Sequence, residues 1–169
     1  MKKKQLPLEY QEIIKQIEKH PEFQKRKEYS HHGKISVYDH SLQVSFLAYR
    51  MAKKLHVDYK SAAIGGLLHD FYDKPWQECT EKRPFFKKHG FVHASEASQN
   101  AWKYFPMYMD KKKEDIIKKH MFPLNIKPPR YIESWIVTLS DKCVSLEVLK
   151  DWKQFHRYIG FGPKKEKRK

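Results

Sequence analysis

Five segments of this chain have apolar residues at helical spacing, and each carries a histidine, an aspartate or both where a core residue belongs. His40 precedes Val44, Leu47 and Met51 on one stripe, at i+4, i+7 and i+11. His69 extends the face of Ala62 and Gly66, and Asp70 closes that segment. His93 lines up with Ala97 and Ala101, His120 follows Ile116 and Ile117, and Asp141 shares a face with Val137, Val144 and Val148. Sinking these groups into a core without partners would cost several kcal/mol in total, since a carboxylate loses far more than an amide on leaving water. A divalent metal removes that conflict, because it neutralises the acids and takes neutral imidazoles as ligands.

The same periodicity predicts an all-α fold, since no run of alternating β-branched residues competes with it. The helices are expected at about Leu8–Lys19, with Ile13, Ile14 and Ile17 inward, and at Tyr38–Leu55. The next spans Asp58, as N-cap, to His69, and the remaining ones His93–Tyr104, Lys111–Met121 and Arg130–Leu149. Pro21 should end the first helix, and Pro128-Pro129 announces the last. Gly65 and Gly66 cost a helix about 1 kcal/mol each against alanine, so they imply close helix–helix contact. Residues 72–90, with Pro75, Pro84 and many charges, read as a loop or lid. The expected organisation is an N-terminal helix packing on the core (1–30), a metal-binding core (31–155) and a basic tail (156–169).

The chain has 169 residues, enough for one domain with a real core. Apolar residues make up only 40%, but aromatics reach 14%, which favours a folded domain with a charged exterior over disorder. Cys79 and Cys143 stand far apart with no CxxC, which excludes a cysteine zinc finger and argues against a disulfide scaffold. The basic N-terminus is followed by Glu9, Tyr10, Gln11 and Glu12 rather than an apolar run, so no signal peptide is expected, and no stretch is apolar enough to cross a bilayer. The expected setting is cytoplasmic. A net charge of +15 suits an anionic partner. Nucleic acid is the less favoured one, because no recognised binding motif is present and the lysines are scattered along the chain.

The ordered set His40, His69-Asp70, His93, His120 and Asp141 resembles the HD-domain superfamily, named for its adjacent His-Asp pair. Ser36-Val37-Tyr38-Asp39-His40-Ser41 resembles the family's first-histidine segment, and Gly66-Leu67-Leu68-His69-Asp70 its central pair. The resemblance runs from about His31 to Asp151. It implies a compact helical bundle in which His40, His69, Asp70 and Asp141 bind one divalent metal. His93 and His120 would bind a second, with Asp70 bridging. Iron, manganese, cobalt, nickel and zinc all suit such donors. Asp70 and His69 would then be the catalytic pair, in hydrolysis of a phosphomonoester or phosphodiester by metal-activated hydroxide. The expected substrate is a nucleotide or another small phosphorylated metabolite. Relatives with this ligand set include di-iron oxygenases, and a catalytically silent metal-binding regulatory domain is the other alternative.

The chain departs from the common His-Asp-x-Gly-Lys continuation, running His69-Asp70-Phe71-Tyr72-Asp73-Lys74. Lys74 is therefore either a phosphate ligand or a surface residue. His31, His32 and His89 could line the pocket, and Lys119, Arg130 and Lys142 flank ligands and could supply positive charge. Asp39 could orient His40, although its position on the helix turns it elsewhere. Phe71, Tyr72, Trp76, Phe85 and Phe86 form either a base-stacking wall or the packing of a long loop.

Overall fold

The computed structural model describes residues 6–29, 35–73 and 89–150, with side chains described to 73 and from 93 to 146. Among these residues the chain forms seven helices and no strand, as the periodicity predicts. They are α1 (Leu8–Glu18), α2 (Pro21–Gln24), α3 (Val37–Lys54), α4 (Tyr59–Leu68), α5 (His89–Tyr104), α6 (Lys111–Lys119) and α7 (Ile132–Lys150). No described helix is long and apolar enough to cross a membrane.

Local chemistry sets the helix starts. Ser36, Asp58 and Asp110 cap α3, α4 and α6, their side chains accepting from the N–H groups of Asp39, Ser61 and Lys113. Pro21 ends α1 as expected but also opens α2, capped by His20, because proline is preorganised for the first helical position. α5 begins at His89, so His89 and Gly90 belong to a helix rather than to the preceding loop. The rest of that expected loop or lid, from Lys74 on, lies outside the described residues. Between α3 and α4 the chain turns through His56, a non-glycine residue at φ 56°.

α3 and α4 are the most closely packed pair, and α7 lies across both. α6 closes against α4 and α7, α5 against α6, and α1 against α4. The two glycines of α4 serve different neighbours. A Cβ at Gly66 would come within 3.0 Å of Ser45 Cα on α3, and one at Gly65 within 2.5 Å of Ile116 Cγ2 on α6. Where α3 meets α4, Ser45 Oγ donates to Ala63 O at 2.7 Å and accepts from Tyr10 OH of α1 at 3.0 Å. Tyr10, Val44, Ala48, Ala62, Ala63, Leu67, Ile116, Ile117, Val137 and Val144 are buried in the surrounding core. α3, α4, α6 and α7 are thereby held close enough for side chains from all four to meet.

Candidate metal centre

His40 from α3, His69 and Asp70 at the end of α4, His93 from α5, His120 at the end of α6 and Asp141 from α7 converge on one point. The four imidazoles and Asp70 are buried, His69 completely, and the Asp141 side chain is 13% exposed. Asp70 divides the imidazoles into two pairs. Its Oδ2 lies 3.4 Å from His69 Nε2 and 3.9 Å from His40 Nε2, while its Oδ1 lies 3.5 Å from both His93 Nε2 and His120 Nε2. Asp141 Oδ1 closes the first group, 3.0 Å from His40 Nε2 and 3.6 Å from His69 Nε2.

The helix ends fix which nitrogen faces inward. His69 Nδ1 donates to the Gly66 carbonyl at 2.8 Å, and His120 Nδ1 to the Ile117 carbonyl at 2.7 Å. A carbonyl only accepts, so both Nδ1 atoms carry a proton, and Nε2 is the nitrogen that each ring turns to the centre. His93 Nε2 stands 3.1 Å from His120 Nε2, a contact that requires either a shared proton or a cation. Among the described residues His69 Nε2 is buried without a well-formed hydrogen bond. Nitrogen from imidazole with carboxylate oxygen suits iron, manganese, cobalt, nickel or zinc better than the all-oxygen preference of calcium or magnesium. The triads His40, His69, Asp141 and His69, Asp70, His120 each bring their ligand atoms within 4.8 Å of one another and could hold a metal ion.

Protonation follows the same geometry. Burial alone would lower the pKa of His69, but the Asp70 and Asp141 carboxylates prevail and raise it to about 9. Burial and the neighbouring His69 push His120 down to about 3. Burial would raise Asp141, yet the hydrogen bond with His40 and the nearby His69 imidazole hold it well below the usual carboxylate range. In the metal-free chain, His69 is protonated at neutral pH and that proton stands in for a cation. Its contribution to stability is full below the unfolded pKa of about 6.5 and is lost as pH rises through about 9. His120, buried neutral, acts in the opposite sense, and stability falls as pH drops from about 6.5 towards 3. Metal must displace the His69 proton. Binding of Mn²⁺ at pH 7 should therefore release about one proton and tighten as pH rises towards 9. Calorimetry in buffers of different ionisation enthalpy measures this directly; a buffer-independent heat would count against it.

A family model described as the HD domain matches residues 37–146. The chain belongs to the HD-domain family. The fold agrees, because an HD domain is all-α. No curated protein and no solved structure matches the chain. HD domains bind divalent metals and are commonly hydrolytic, and the buried histidines and aspartates found here could hold such an ion.

The other residues singled out in the sequence fare unevenly. Lys142 is half-buried beside Asp141, with Nζ donating to the His120 carbonyl at 3.4 Å, and burial lowers its pKa. Lys119 is half-buried at the end of α6, whereas Arg130 is exposed and its backbone N–H donates to Asp115. Asp39 is exposed and accepts from Ser36 Oγ, so it turns away from His40. Phe71 packs in the core against Phe23, Tyr104 and Phe105, while the Tyr72 ring lies 6.1 Å from the His93 ring. His31, His32, Lys74, Trp76, Phe85, Phe86 and the side chain of His89 lie outside the described residues. The sequence reading missed Arg26, which is buried beneath Phe71 and reads in sequence as one charge of Lys25-Arg26-Lys27.

Proposed function

We propose that this HD-domain protein is a metal-dependent phosphohydrolase that cleaves a phosphomonoester or phosphodiester, with a nucleotide or another small phosphorylated metabolite as substrate. One observation carries the reading: the two oxygens of Asp70 face two separate pairs of imidazole nitrogens. That geometry suits a carboxylate bridging two divalent cations, with His40, His69 and Asp141 on one side and His93 and His120 on the other. Cations held there would supply the charge that ionises water near neutral pH and offsets negative charge building up on a phosphoryl group.

The chain's own residues do the rest. The Gly66 and Ile117 carbonyls fix the His69 and His120 rings with Nε2 facing the centre, so the rings need not turn to bind a cation and His69 has only its Nε2 proton to lose. Lys142, whose Nζ donates to the His120 carbonyl beside the centre, would add positive charge near a bound phosphate. The excess of 35 Lys and Arg over 20 Asp and Glu raises the local concentration of an anionic substrate, more so at low salt. The protein is expected to hydrolyse at least one member of a panel of phosphate monoesters and diesters when Mn²⁺ is supplied, and to lose that turnover on chelation. An intact metal load with no turnover on any ester would favour a regulatory domain. Oxygen uptake under the same conditions would favour oxygenase chemistry.

A further inference from the structure

Asp70 lies beyond the last residue of α4, so its direction depends on how the next three residues are held. From α5, Asn100 Nδ2 donates to the Phe71 carbonyl at 3.0 Å, and Glu96 Oε1 accepts from the Asp73 N–H at 3.2 Å. The other grip comes from the short 3-10 turn Lys25–Lys27 that follows α2. There the guanidinium of Arg26 lies 4.3 Å from the centre of the Phe71 ring, and Nη2 stands 3.0 Å from Asp73 Oδ1. Nη1 donates to the Glu22 carbonyl at 3.2 Å, and the Tyr29 ring lies 5.1 Å from the same guanidinium.

Arg26 is only 1% exposed, whereas its carboxylate partner Asp73 is 47% exposed. Among the described residues its Nε is buried without a hydrogen-bond partner. As mere filling this is a poor arrangement, since an apolar side chain of similar volume would avoid the cost of burying a charge. As a clamp it is apt. A guanidinium is flat enough to stack on one ring while its edge reaches a carboxylate, which an ammonium cannot do.

We infer that Arg26 is a positioning residue for the metal centre: stacked on Phe71 and paired with Asp73, it fixes the backbone that aims Asp70 between the imidazole pairs. This rests on the reading of Asp70 as a shared metal ligand. It also makes the segment before residue 37, which the family match does not cover, part of the working centre.

The test uses the full chain and two readouts besides activity, the affinity for Mn²⁺ and the visible spectrum after Co²⁺ loading. Arg26→Met is expected to weaken Mn²⁺ binding about tenfold and to shift the Co²⁺ bands, as loss of a ligand-orienting group does. Arg26→Lys should fall between the wild type and Arg26→Met. Asp73→Asn, a change at a half-exposed side chain, should move both readouts in the same direction while the protein stays folded. A folded Arg26→Met with the wild-type affinity and spectrum would overturn the inference. Should that variant not fold, wild-type values in Asp73→Asn would overturn it equally. Absence of binding by the wild type itself would defeat the reading of the centre, and this inference with it, so the two failures can be told apart.

Discussion

Asp70→Ala is expected to lose bound metal and turnover together. Asp70 lies within 3.9 Å of all four imidazole nitrogens, whereas Asp141 is placed against His40 and His69 only. Removing it takes away the shared negative charge and leaves His93 and His120 without the carboxylate that stands nearest to both. Deleting one partner of a buried charge arrangement costs about 3–5 kcal/mol of stability, and a loss of that size in metal binding would be roughly 10²- to 10³-fold or more in affinity. Metal analysis and turnover measured on the same preparation check this. Full metal content with lost activity would make Asp70 a group that acts on substrate without holding metal. Full activity would remove it from the centre altogether.

The second large effect is structural and reaches the centre through packing. In Gly65→Ala the new Cβ would stand 2.5 Å from Ile116 Cγ2 and 3.0 Å from Ile116 Cβ. The first contact is beyond what real structures show, and the second is fixed to the α6 backbone, so rotating the side chain cannot clear both. Ile116 is fully buried and β-branched, with one strongly preferred rotamer in a helix. α6 must therefore move, and His120 sits one turn beyond Ile116 on the same helix end. Overpacking of this kind costs about 1–3 kcal/mol, partly offset by about 1 kcal/mol from replacing a helical glycine with alanine. The expected result is a melting temperature lower by up to roughly 8 °C, with weaker binding of a cation at His93 and His120. Thermal unfolding with and without Mn²⁺ measures both. An unchanged melting temperature together with unchanged Mn²⁺ binding would mean that the α4–α6 contact has slack the structure does not show.

Much of this was legible before any coordinates. The six residues of the candidate centre betray themselves because each breaks the apolar pattern of a helix at a position that the pattern assigns to the interior, and bound divalent cations would resolve all six conflicts. Asp58 as the cap of α4 and the glycines of α4 as a close approach were equally readable, because each follows from local chemistry. What was hidden is tertiary. Nothing in the sequence says that Gly65 meets α6 while Gly66 meets α3, since a helix turns only about 100° between them. Nor does sequence reveal that the two oxygens of Asp70 divide the histidines, which depends on the angle at which the chain leaves α4. Arg26 was invisible for a related reason: its carboxylate partner is 47 residues away, and its immediate neighbours are lysines. Pro21 was half-read, because a residue that cannot continue one helix is well suited to start the next.

The most direct measurement is an anomalous difference map from crystals of the full chain equilibrated with Zn²⁺, recorded on both sides of the zinc absorption edge. Two peaks should stand on either side of Asp70, one bounded by His40, His69 and Asp141 and the other by His93 and His120, each about 2.0–2.1 Å from its imidazole nitrogens. A map with no peak among these six side chains, or with its zinc bound elsewhere on the molecule, would contradict the account.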